Sequence, residues 1–353
     1  MSPTQAGPAA PATVDPAAEH YGAVADLYHA WLTGLLLMTV SRRGAAPAAE
    51  LVFRTFRHQH LEKFLPGLAK LGLDALPDAV ACAQYHYLSN HLGGVKVEYA
   101  YESDRKAWIR YPPPRWIFEG TAICGIPSEV SRAMLRGWHA HNGVSLGNPR
   151  LGFVCTKQTV DGQPGLEGYY LEHDRDLQPE ERLRFAPGEE APAVDPARLP
   201  ALDAADWPEE RLQKVLRNYA MDYVRTALPI IVELLGPAEG GYLAGLAARQ
   251  IGMQLHDRIA RRLPPADDEI DFLDWLATLL RAQGDPAEVE GEGASRRLVQ
   301  RGWRLMRDRG PLHAAVFEAW RELWAGMLLA RDPRGRLEAS RSQEDRVVWR
   351  LGA

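Results

Sequence analysis

The chain has 353 residues, of which 46% are apolar and 25% charged, with a formal net charge of −5. That length allows two domains, and the mildly acidic balance argues against a nucleic-acid protein, which needs a concentrated basic surface. Cys82, Cys124 and Cys155 stand too far apart for a CxxC zinc knuckle and read as reduced thiols of a cytoplasmic protein.

Residues 1–18 have neither a basic flank nor an apolar core. They predict a disordered leader rather than a signal peptide. The longest apolar run, 32–40, falls short of the roughly 20 residues that a membrane span needs, so no membrane association is expected.

Val24, Leu27, Trp31, Leu35 and Met38 recur at helical spacing and predict a helix over 22–42. Phe53, Phe56, His60 and Phe64 predict a second over 47–64. Ala81, Tyr85, Leu88 and Leu92 predict a third over 78–92, closed by Gly93-Gly94. Extended runs follow at 95–104 and 107–111, then a helix over 128–141 and further strands at 151–156 and 166–171.

Stretch 176–210 has six prolines and ten acidic residues against three arginines. It predicts a solvated linker. Helices are then expected over 211–235, 239–262 and 269–283. Strands at 287–292 and 297–303, a helix from 311 to about 330, and strands at 335–340 and 346–351 complete the order. A shift of 192 residues lays Val97-Glu98 on Val289-Glu290, Ser103 on Ser295, Arg105 on Arg297 and Arg115 on Arg307.

The predicted fold class is therefore α+β. Two tandem copies of an α-α-α-β-β-α-β-β unit pack their helices on a small, mainly antiparallel sheet. The domains are 19–175, which bears the site, and 211–353, a degenerate copy, joined by the 176–210 linker. Two unrelated α+β domains are the alternative.

The first copy holds nine of the eleven histidines and all three cysteines. Thiol and imidazole are the groups that supply nucleophiles, bases and metal ligands near neutral pH, so the chemistry is expected there. Cys82 and His86 share a helix face, and Asn90 continues it; a thiolate held by imidazole competes with a plain buried cysteine. His60 points toward the core. Val130, Met134, Trp138 and His141 define the inner face of the 128–141 helix, with His139 on the outer side beside Arg132 and Arg136. Cys124 precedes that helix, where the dipole lowers a thiol pKa. Cys155 alternates with Phe153 and Leu151 toward the interior.

Trp108 and Arg110 share one face of their strand. An arginine there suits a substrate carboxylate, and a surface ion pair with Glu98 or Glu102 is the competing role. No GxGxxG, Walker loop, GxSxG or HExxH occurs.

Cys124 ahead of the 128–141 helix, followed by strands ending Leu166-Glu-Gly-Tyr-Tyr-Leu-Glu172, resembles two related families. They are the L-2-amino-thiazoline-4-carboxylic acid hydrolase-like proteins and the 4-vinyl reductase domain, a small-molecule-binding module. The resemblance spans about 22–175 and again 215–352. It implies an acidic residue in the helix, which Glu129 answers, and a cysteine near the last strand, where Gly168-Tyr169-Tyr170 has none.

The expected activity is hydrolysis of a C–N bond in a small anionic cyclic or amide substrate. Cys82 or Cys124 would be the nucleophile and His86 or His141 the base. Arg110, Trp108, Asn90 and Cys155 would contact the substrate. A metal-assisted variant would place a single zinc or iron ion on His60, His86, His141 and Glu129. A non-catalytic binding or sensory module is the alternative, and a homodimer stays open.

Overall fold

A computed structural model of the chain describes residues 16–114, 116–202, 205–263, 271–342 and 346–352. Most of the expected leader, Arg115 and the first residues of the helix predicted over 269–283 lie outside them. From residue 16 the chain is already helical.

The first half runs α1 (Pro16–Arg43), α2 (Ala45–Lys70), α3 (Asp78–Leu92), β1 (Glu98–Ser103), β2 (Lys106–Tyr111), α4 (Ser128–Gly137), a one-turn α5 (Asn142–Ser145), β3 (Leu151–Lys157) and β4 (Leu166–Glu172). The second half runs α6 (Glu209–Leu235), α7 (Pro237–Ala260), α8 (Phe272–Gln283), β6 (Ala287–Glu290), β7 (Arg297–Arg301), α9 (Ala314–Arg331), β8 (Arg336–Arg341) and β9 (Arg346–Gly352). Between them β5 (Leu183–Phe185) pairs in parallel with β3. Part of the expected linker is thus an edge strand of the first sheet.

The fold is mixed helix and sheet. Its sheets run β1-β2-β4-β3-β5 and β6-β7-β9-β8, antiparallel except at β5. In β2, Ala107, Ile109 and Tyr111 face the helices and join the main core. Trp108 faces the other way, in a small cluster with Ala100, Val154 and Tyr169. Period-2 alternation dictates this split.

One core cluster contains buried residues from both halves. Helix α1 packs on α6 and α7 as well as on α2. Its His20–Arg43 stretch, 24 residues holding an 18-residue window of mean hydropathy 1.3, is long and apolar enough to cross a membrane, which the short 32–40 run did not indicate. Val24, Leu27, Tyr28, Trp31 and Leu35 are instead buried against protein. Tyr28 reaches into the second half, where its Oη donates to Gln283 Oε1 at 2.7 Å and accepts from Trp320 Nε1 at 3.1 Å.

The helix predicted over 128–141 is broken. Trp138 leaves helical geometry at φ −108, ψ −72, and a single 3₁₀ turn spans His139–His141. Asn142-Gly143 lies inside α5. The break re-aims the side chains. His139, expected on the outer face, is buried, and His141, expected inward, is half-buried.

Candidate functional site

A cavity of about 390 Å³ opens between α2, α3, the Trp138–His139 corner and α6. Its walls are rich in aromatic side chains, including Tyr85, Tyr111, Trp138, Trp207, Tyr219 and Tyr223. Both halves build it, whereas the sequence placed the pocket in the first half alone. Gly93 permits this closure, because a Cβ there would stand 2.7 Å from the Tyr219 ring.

His86 is the polar centre. It is 3% exposed and its ring stacks on His139 at 4.2 Å between centroids. Oη of Tyr111 lies 3.4 Å from Nδ1, and the Asn142 amide nitrogen 3.5 Å from Nε2. That amide also donates to Tyr170 Oη at 3.1 Å. The network therefore assigns Nδ1–H donating to Tyr111 and Nε2 accepting from Asn142. Burial, with His139 and His60 nearby, holds the His86 pKa well below 6.5. The imidazole is neutral at pH 7: a hydrogen-bonding group rather than a charge.

On the cavity side the network crosses to α6. Asn90 Nδ2 donates to the His86 carbonyl at 2.8 Å and approaches Tyr111 Oη at 3.4 Å. Tyr219 Oη donates to Asn90 Oδ1 at 2.9 Å, and Tyr223 Oη to Tyr219 Oη at 3.0 Å. At the rim Lys63 pairs with Asp222. Burial lowers the Lys63 pKa to about 8; Glu62 opposes this, and Arg225 and Arg309 add to it.

Of the sequence candidates, His86 and Asn90 line the cavity. Cys82 does not. It is 0% exposed, and burial pushes its thiol pKa up, outweighing a hydrogen bond with Asn142. A thiolate needs the opposite environment, so the nucleophile assignment loses its basis. Cys124 is exposed in a 3₁₀ segment, Gly120–Gly125, away from the cavity. Cys155 is buried in the core, its Sγ 3.4 Å from the Lys157 carbonyl.

His60 and His141 sit edge to face at 5.2 Å, behind the cavity wall. His60 Nε2 lies 2.8 Å from Ser145 Oγ. Burial, then His141 and Arg57, lowers the His60 pKa to about 3; burial, then Arg57 and Arg182, lowers that of His141 to about 4. Glu129 is exposed on the first turn of α4. Among the described residues no three His, Cys, Asp or Glu side chains form a metal-holding group, so the set His60, His86, His141 and Glu129 does not converge.

Arg110 is not in the cavity. It stands directly across from Glu98 in the β1–β2 register, and its Nε donates to that carboxylate at 2.7 Å. Trp108 Nε1 donates to Glu102 Oε2 at 2.6 Å on the same outer face. Arg110→Ala is therefore expected to cost no more than about 1 kcal/mol, because the pair is half-exposed on the outer face of the sheet. Urea unfolding checks this, and a loss above about 3 kcal/mol would contradict it.

The sequence also missed residues. His139 was hidden by the break at Trp138. Tyr219 and Tyr223, one helical turn apart on α6, were a readable pair, but nothing local to α6 showed which surface they face. Comparison with protein-family models, with curated proteins and with solved structures finds no match to this chain.

Proposed function

We propose that the protein binds a small, largely apolar, ring-bearing molecule in the cavity between its halves. The carrying observation is the aromatic lining around one neutral imidazole–amide–phenol network. Pockets of this size and make-up bury most of a ligand and use a few polar groups to orient it. A neutral His86 can meet a ligand donor or acceptor without the cost of burying a charge.

Hydrolysis of a C–N bond is the second reading. It is favoured by His86 lining the cavity with Cys82 one helical turn before it. It is weaker, because a general base works best with a pKa near the operating pH. The parallel order of elements and strands in the two halves supports duplication of one unit. In that view 19–175 and 211–353 are copies, and the second has become a wall of the site. A cytoplasmic location agrees with the free cysteines.

N-phenyl-1-naphthylamine, a neutral ring pair that fluoresces in apolar surroundings, tests the binding. Saturable binding of about one molecule per chain is expected. Ser89→Trp, which fills the cavity from α3, and Val215→Trp, which fills it from α6, are each expected to weaken it by at least about tenfold with the fold retained by circular dichroism. Unchanged affinity in both folded variants would overturn the proposal.

A further inference from the structure

We infer that the cavity's ligand is an amphipathic anion, its ring-bearing body among the aromatic side chains and its acidic head on Arg225, Arg304 and Arg307. This rests on the cavity being a binding site, and it adds the ligand's charge and the second half's part in holding it. A second depression of about 280 Å³ adjoins the cavity and shares Asn218 and Asp222 with it. Asn218, Asp222 and Arg225 lie at steps of four and three along α6, a continuous stripe on one helix face. The stripe leads from the aromatic lining directly to the arginines.

The charge there is not balanced. Three guanidinium groups line the depression against the carboxylates of Asp222 and Asp308; Asp285 lies near Arg304 and Arg307, and Asp222 is already engaged by Lys63, so cations still outnumber carboxylates. Arg304 Nη2 donates to Asn218 Oδ1 at 3.2 Å. The side chains of Arg225 and Arg307 make no hydrogen bond or ion pair among the described residues. Nearby, Arg309 donates to Thr226 Oγ1 at 3.2 Å and stands 3.7 Å from Glu62. The crowding of cations is felt at Lys63, whose ammonium is disfavoured by burial and by Arg225 and Arg309. Arg307 is carried on a turn whose next residue, Asp308, has φ +61, the one described non-glycine residue in the left-handed region. Guanidinium groups left open beside a pocket are suited to a carboxylate, sulfonate or phosphate, which they bind through charge-assisted hydrogen bonds.

A matched probe pair tests this. 1-Anilinonaphthalene-8-sulfonate has the same two ring systems as N-phenyl-1-naphthylamine plus one sulfonate. The wild-type protein is expected to bind the sulfonate about tenfold more tightly than the neutral amine, each displacing the other. Added salt should weaken only the sulfonate. Arg225→Gln with Arg307→Gln is expected to remove about tenfold from sulfonate binding and leave the amine within about twofold. Arg307→Gln alone, at an exposed position, gives a smaller change of the same kind should the double variant not fold. If the amine binds but sulfonate affinity ignores both salt and these substitutions, the anionic head is wrong and the cavity stands. If neither probe binds, or Ser89→Trp and Val215→Trp leave both unchanged, the cavity assignment fails and the inference with it.

Discussion

Lowering the pH from 7.5 to 5 is expected to destabilise the folded chain by at least about 3 kcal/mol, from linkage to buried groups. His60 and His29 have folded pKa values lowered to about 3 and about 4, in both cases mainly by burial. Below the unfolded value of 6.5 the unfolded chain takes up protons that the folded chain refuses. Stability is therefore full above about 6.5 and falls as pH drops toward the folded values. At pH 5 each of the two contributes a loss of about 2 kcal/mol. His86 and His141, shifted the same way, add to it.

Asp285 acts in the opposite direction. Burial raises its pKa to about 6, against hydrogen bonds from the Arg304 backbone and Gln300 and the charges of Arg307 and Arg304. The folded state binds that proton first, which returns about 1.4 kcal/mol at pH 5. Urea unfolding at a series of pH values measures the net slope. His60→Gln should make it shallower by about one proton, and a flat profile between pH 7.5 and 5 would contradict the burial of neutral imidazoles.

Trp320→Ala is expected to cost about 4 kcal/mol, the scale for emptying a buried aromatic site. The ring is 0% exposed and lies 5.1 Å from Trp303, 5.7 Å from Trp324 and 5.6 Å from Trp349. These rings fill the interior of the second half, whereas the first half keeps His86, His139 and Tyr170 beside a cavity. The substitution also removes the donor to Tyr28, which belongs to α1. Because one core runs through both halves, β2 and β4 should lose hydrogen-exchange protection together with β7 and β9. Protection of β2 and β4 that survives while β7 and β9 open would mean that the halves unfold independently.

Much of the fold was legible because the elements are locally periodic. Trp31, Phe56 and Leu88 fell on the faces that are buried, and alternation in β2 correctly put Trp108 and Arg110 together. What alternation could not give was the occupant of that face. Glu98 lies across the hairpin, and a cross-strand partner is a register fact. The break after Gly137 was unreadable for a related reason. Helical periodicity extrapolates through Trp138, while packing of His139 on His86 rewards leaving the helix.

The site itself was half legible. His86 and Asn90 could be picked from one helix face. Tyr219 and Tyr223 could not, since they reach the cavity through the packing of α6 across the first half. Counting histidines and cysteines pointed to the first half but overstated the thiols. A cysteine's sequence neighbours do not report its desolvation, and at Cys82 desolvation decides the protonation state.

The space between α2, α3 and α6 is proposed as a ligand site built by both halves. A crystal structure of the complex with N-phenyl-1-naphthylamine tests it most directly. The expected result is density for the probe among Tyr85, Tyr111, Trp138 and Tyr219, within reach of Asn90. Probe density only on the outer face near Trp108 and Arg110, with the cavity collapsed or holding solvent alone, would contradict it.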